Sequence, residues 1–127
     1  MKFIDQLKEK AKQNKKTIVL PETSDMRTIE AAGKVLAEGI ANIILVGDKE
    51  DIMSRAGDID LSGASFVDPK NYEKFDEYVD AFVEMRRKKG MTEARAKELL
   101  LTNPLYFGCM MVKQDDADGM VEGGLNA

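Results

Sequence analysis

A chain with no histidine and a single cysteine must do any chemistry with carboxylates, arginines, lysines, hydroxyls or backbone amides. Three stretches carry such groups at suggestive spacings. In "PETSDMR", Glu22, Asp25 and Arg27 surround an expected helix start, where unpaired backbone N–H groups suit an anion. Thr23, Ser24 and Asp25 are equally ordinary N-cap residues, so capping alone also accounts for them. In "EGGLNA", the pair Gly123-Gly124 permits close backbone approach to a phosphate or simply makes a tight turn. Neither a Walker pattern nor G-x-G-x-x-G occurs, which disfavours a nucleotide-binding P-loop.

The third stretch is "FVEMRRKKG". On a helix advancing ~100° per residue, Tyr72, Phe75, Tyr78, Val79, Phe82, Val83 and Met85 average onto one direction; Arg86 falls within ~20° of it and Arg87 more than ~100° away. Arg86 is therefore expected inward and Arg87 outward. An inward guanidinium needs either a carboxylate partner or an anionic ligand, because an unpaired buried charge is costly. Cys109 has apolar neighbours in "FGCMMV" and is expected as a buried, unreactive thiol. Met110, Met111 and Met120 read as core packing.

The elements that must position these residues alternate in type. Phe3, Ile4, Leu7 and Ala11 recur at helical spacing, and the β-branched run "TIVL" follows as a strand ending at Pro21. A helix is predicted over about 24–38 with Gly39 as its C-cap, then "ANIILV" as a strand buried on both faces, a short helix in "DKEDIMSRAG", and a third strand in "ASFVDP". The stretch "NYEKFDEYVDAFVEMRRKKG" predicts one long helix closed by Gly90. Thr92 caps another through Leu101, and Asn103-Pro104 opens a further one through about Val112. "ADGMV" reads as a last strand entering the Gly-rich loop. Strands separated by helical crossovers imply an α/β fold with a parallel sheet sandwiched by helices, its ligand loops at "PETSDMR", "GDKED" and "EGGLNA".

Composition narrows the function classes. At 127 residues, 43% hydrophobic and 33% charged, the chain has the size and make-up of one folded domain. A net charge of -4 with interleaved acids argues against a nucleic-acid surface. No run reaches the ~18 apolar residues of a membrane span, and the charged N-terminus has no signal-peptide core, so a cytoplasmic location is expected. One cysteine excludes an intrachain disulfide.

The strings "KKTIVLPETSDMRTIEAAGKVLAEGIANIILVGD", "DPKNYEKFDEYVDAFVEMRRKKGMT" and "NPLYFGCMMVKQDDADGMVEGGLNA" together resemble the N-terminal part of the phosphate acetyltransferase (phosphotransacetylase) family, from Met1 to Ala127. The resemblance implies that residues 1–127 are the N-terminal segment of the first of two α/β domains of an isocitrate/isopropylmalate dehydrogenase-like fold, with the remainder absent. It implies acyl transfer between coenzyme A and inorganic phosphate without a metal or separate cofactor, as part of acetate metabolism. A coenzyme A thiolate attacks the carbonyl of acetyl phosphate, an Asp acts as base, and Arg and Ser groups hold the phosphate. That Asp and a Ser-Arg pair belong to the family's C-terminal part, so no catalytic residue is assigned in this chain. Substrate binding is assigned to Arg86, Gly123, Gly124 and Asn126.

Glu122 departs from the small residue usual in the family and would repel phosphate if it faced the site. Acetyl-CoA and phosphate are the expected substrates, with self-association, as a homodimer or otherwise, of the chain. Phosphate butyryltransferase shares the pattern, and a related domain occurs at the end of some malic enzymes, against which Met1 opening directly into the first helix argues. A non-catalytic α/β anion-binding module is the alternative from another class.

Overall fold

The computed structural model describes residues 2–122, without the side chains of residues 2–5, 7 and 8. Helices and strands alternate as α1 (Lys2–Gln13), β1 (Lys16–Leu20), α2 (Met26–Glu38), β2 (Ala41–Val46), α3 (Lys49–Ala56), β3 (Ser65–Val67), α4 (Phe75–Met85), α5 (Glu93–Thr102), α6 (Pro104–Lys113) and β4 (Gly119–Met120). Single 3-10 turns at Pro69–Asn71 and Arg87–Lys89 flank α4. The strands form one parallel sheet in the order β3-β2-β1-β4.

The unbroken apolar run of β2 is explained by burial on both sides of the sheet. Side chains alternate in direction along a strand. Ile44 and Val46 accordingly join Val19 in a core with α4, α5 and α6, while Ile43 and Leu45 join Leu20 in a second core with α2 and α3. On α2, Ile29 and Ala32 are fully buried, whereas Met26 at the first turn is exposed.

Local chemistry sets most element ends. Asp25 caps α2 through the Arg27 N–H, and Gly39 closes it in the left-handed region (φ 68°) with its N–H bonded to Val35 and Leu36. Thr92 and Asn103 cap α5 and α6, and Pro104 occupies the first turn of α6, where a missing N–H costs nothing.

Two expectations are corrected. The stretch through Gly90 is not one helix: α4 ends at Met85, Arg86 is its C-cap, and a 3-10 turn over Arg87–Lys89 carries the chain to Gly90 in the left-handed region (φ 81°). Four consecutive cations, Arg86 to Lys89, crowd a helix end that has no long apolar stripe beyond Val83 to hold it on the sheet. Cys109 is exposed, not buried. On α6 the buried positions are Phe107, Gly108, Met110 and Met111, one stripe at helical spacing, and Cys109 lies to the side of it.

The turn from α6 into β4 contains Asp115 at φ 62°, the one non-glycine with positive φ among the described residues. Asp tolerates this region far better than a β-branched residue does. Asp115→Val is therefore expected to cost about 1 to 2 kcal/mol and Asp115→Gly to stay within about 0.5 kcal/mol of the parent in urea unfolding. A valine variant as stable as the parent would mean that the turn does not hold this conformation in solution.

Candidate functional site

The carboxyl ends of β1, β2 and β3 enclose a cavity of about 250 Å³, lined by Thr23, Ser24, Gly47, Asp48, Asp68 and Lys70 among others. This is where a parallel sheet ordinarily takes a ligand. Its helix starts are already occupied by the chain's own carboxylates. Asp25 accepts the Arg27 N–H at 2.9 Å and its guanidinium at 2.9 and 3.2 Å; Asp48 accepts the Glu50 N–H at 3.2 Å, and Asp68 the Lys70 N–H at 3.0 Å. The Arg27 N–H, and then its side chain, hold the Asp25 carboxyl below the usual carboxylate range. Thr23 is buried and donates its hydroxyl to Val46 O at 2.6 Å, tying the end of β1 to the end of β2. The polar residues of "PETSDMR" and "GDKED" thus cap helices and lock strand ends, and an added anion would meet carboxylates there.

A second, larger groove of about 550 Å³ opens between α4, α6 and β4. Phe82, Tyr106, Met110 and Met120 give it apolar walls, while Arg86 and Lys113 supply its cations. Arg86 is half-buried, with its guanidinium carbon 6.0 Å from the centre of the Phe82 ring. Among the described residues no carboxylate lies within ion-pair distance of it, so the structural pairing open to an inward Arg86 is not formed here. Arg87 is exposed and pairs with Glu84 at 2.5 Å. The inward and outward directions expected for the two arginines hold, although the helix that motivated them ends one residue earlier.

The sheet order adds a second reason to look at this side of the molecule. β1 is followed by β2 on one side, whereas β4 returns to the other side of β1, which makes the β1/β4 crevice the topological switch point. The structure brings Arg86 to Met120 of β4, and the chain leaves β4 through Glu122, which is exposed. Gly123, Gly124 and Asn126 lie outside the described residues. Arg86 is not brought to the strand-end cavity, because the two hollows share no lining residue.

One polar cluster was not anticipated from the sequence. Asp116 accepts from Lys74 Nζ at 2.6 Å and from the Tyr78 hydroxyl at 2.5 Å, and the Tyr72 hydroxyl lies 3.2 Å from that of Tyr78. Burial opposes ionisation of Asp116, yet the Lys74 ammonium and Tyr78 hydroxyl outweigh it and hold the carboxyl below its ordinary value. The hydrogen bond to Asp116 correspondingly raises the Lys74 pKa, and burial, followed by the bond to Asp116, raises that of the Tyr78 phenol. The signal available in the sequence was a tyrosine on an inward face, whose hydroxyl requires a partner.

Among the described residues there is no group of three or more His, Cys, Asp and Glu side chains placed to hold a metal, and no helix is long and apolar enough to cross a membrane. The sequence profile of the Phosphate acetyl/butaryl transferase family matches residues 2–127. The chain belongs to this family. It is 47% identical over its whole length to a phosphate acetyltransferase of Acetivibrio thermocellus and 49% identical to that of Thermoanaerobacterium thermosaccharolyticum, in each case covering 38% of the relative. Among solved structures it is similar to a phosphotransacetylase from Streptococcus pyogenes, with a TM-score of 0.80 at 33% identity over 98% of this chain and 38% of the other. The EutD phosphotransacetylase from Staphylococcus aureus gives a TM-score of 0.77 at 39% identity, covering 90% of this chain and 34% of that one. The chain thus spans a little over a third of the length of these phosphate acetyltransferases, and its four-stranded parallel sheet with flanking helices is the α/β arrangement of the family.

Proposed function

We propose that the chain forms the N-terminal segment of the first α/β domain of a phosphate acetyltransferase, in which Arg86 binds an anionic group of coenzyme A or acetyl phosphate. The carrying observation is a guanidinium without a carboxylate partner among the described residues, on the wall of a 550 Å³ groove, in a chain 47% identical over its full length to a phosphate acetyltransferase. We assign Gly123, Gly124 and Asn126 to binding of the same substrates. The two-domain arrangement is that of the isocitrate/isopropylmalate dehydrogenase-like fold.

In the reaction, the sulfur of coenzyme A attacks the acetyl carbonyl of acetyl phosphate, a carboxylate base takes the thiol proton, the C–O bond to phosphate breaks, and inorganic phosphate leaves with that electron pair. The base and the remaining phosphate ligands come from the part of the enzyme beyond residue 127. This chain supplies a fixed cation, and the chemistry calls for no metal. The site belongs to a cytoplasmic, self-associating enzyme of acetate metabolism.

The test compares the 127-residue chain with a full-length protein that begins with it. The longer protein is expected to form acetyl phosphate from acetyl-CoA and phosphate, and the short chain is expected to form none. Failure of the full-length protein to transfer acetyl to phosphate, or a strong preference for butyryl-CoA, overturns the acetyl reading. Turnover by the short chain overturns the assignment of the base to the missing part.

A further inference from the structure

We propose that Asp116, gripped by Lys74 and Tyr78, is a positioning residue that sets the separation of Arg86 from the β4 wall of its groove; the proposal rests on the reading of Arg86 as a ligand-binding residue. Both ends of the device are visible in the structure. Asp116 stands in the turn between α6 and β4, and Met120, four residues on, lines the groove. Lys74 and Tyr78 stand at the start of α4, and Arg86 ends the same helix. Tyr78 and Arg86 are eight positions apart, about 12 Å along a rigid helix.

The turn is already pinned to its other neighbours. Asp116 and Ala117 donate backbone N–H groups to Met111 O at 2.8 and 3.2 Å, holding the turn on α6. Asp118 donates its N–H to Thr17 O at 2.7 Å and accepts the Thr17 N–H through its carboxylate at 2.7 Å, holding the turn on β1. Neither attachment constrains α4. The hydrogen bonds among the described residues that tie α4 to this turn both end on the Asp116 carboxylate. The rest of the α4–α6 contact is apolar and aromatic, including Tyr78 against Phe107 and Phe82 against Tyr106. Such packing resists separation more than sliding, whereas two short bonds to one carboxylate fix direction as well as distance. Without them α4 can shift along α6, and the guanidinium at its far end moves relative to Met120.

Kinetics of the full-length protein test this, with Arg86→Ala, Asp116→Ala, Asp116→Asn and Tyr78→Phe measured singly and Arg86→Ala combined with Asp116→Ala. Displacing a ligand-holding group by a fraction of an ångström to 1 Å is expected to raise the KM of Asp116→Ala for coenzyme A or acetyl phosphate about tenfold, with kcat within about twofold of the parent. Asp116→Asn, which keeps an acceptor for Tyr78, is expected to recover part of the loss. The double variant is expected to have a KM no higher than Arg86→Ala alone, because the carboxylate acts through the arginine.

An unchanged KM for Asp116→Ala, accompanied only by a lower melting temperature or lower active fraction, overturns the proposal and leaves the reading of Arg86 intact. So do additive effects in the double variant. If Arg86→Ala itself is silent, both fail. Should Asp116→Ala not fold, Tyr78→Phe decides: a raised KM at nearly unchanged kcat supports the positioning role, and an unchanged KM overturns it.

Discussion

Arg86→Ala, in the full-length protein, is expected to lower kcat/KM for coenzyme A or acetyl phosphate by an amount equivalent to about 1.5 to 3 kcal/mol, the scale of a lost charge-assisted hydrogen bond. The parent arginine has no carboxylate partner among the described residues, so the substitution breaks no ion pair seen in the structure. What it removes from the folded chain is packing and a cation–π contact with Phe82 at 6.0 Å, a contact of about 0.5 to 1 kcal/mol at an open site. Stability should therefore fall much less than activity. Arg87→Ala removes only an exposed pair with Glu84 and should change either quantity by a few tenths of a kcal/mol. Arg86→Lys should restore binding incompletely, since an ammonium does not reproduce the planar two-pronged donor of a guanidinium. Steady-state kinetics with matched thermal melts separate the cases. A lower melting temperature with kcat/KM untouched would make Arg86 a structural residue and remove it from the site.

The largest stability loss should come from Phe107→Ala, at about 3 to 5 kcal/mol. Phe107 is fully buried on α6, with its ring centre 5.6 Å from that of Tyr72 and 5.3 Å from that of Tyr78. Truncation removes a whole ring from between α4, α6 and the sheet. The neighbours cannot collapse into the space, because Tyr78 is held by its bond to Asp116 and α6 by the close approach of Gly108 to Pro21 and to Met120 of β4. A β-carbon at Gly108 would stand 3.3 Å from Pro21 Cβ and 2.7 Å from Met120 Sδ, so the helix has little room to settle further. Set against the usual 5 to 15 kcal/mol of a domain, the loss removes a large part of the margin. Phe107→Leu, which keeps most of the volume, should cost less than about 1.5 kcal/mol. Urea titrations of both variants check this, and an alanine variant within about 1 kcal/mol of the parent would show that this core is loosely packed in solution.

Much of the molecule follows from neighbours in the sequence. Asp25, Thr92 and Asn103 cap helices because their side chains reach an N–H two or three residues on, and Gly39 and Gly90 end helical turns because they adopt positive φ without strain. The apolar run "ANIILV" reads as a strand covered on both faces for the same local reason, an absence of polar alternation. These features made the α/β class legible before any coordinates, while the family came from the resemblance of longer strings. The separation of Arg86 from Arg87 was legible too, since it depends on angles within one turn of chain.

Tertiary structure alone decided the rest, because it rests on groups far apart in the chain. The placement of β4 beside β1 depends on contacts such as Asp118 with Thr17, 101 residues apart. The grip of Lys74 and Tyr78 on Asp116 spans 42 and 38 residues. Helical periodicity marks Tyr78 as inward but says nothing of which acid its hydroxyl meets, and "FGCMMV" is apolar without saying that both its methionines take the buried stripe and leave Cys109 outside. Capping and periodicity act over a turn or two of chain, whereas strand order, the groove beside Arg86 and the partner of each buried polar group are set by what must come together to bury both faces of the sheet.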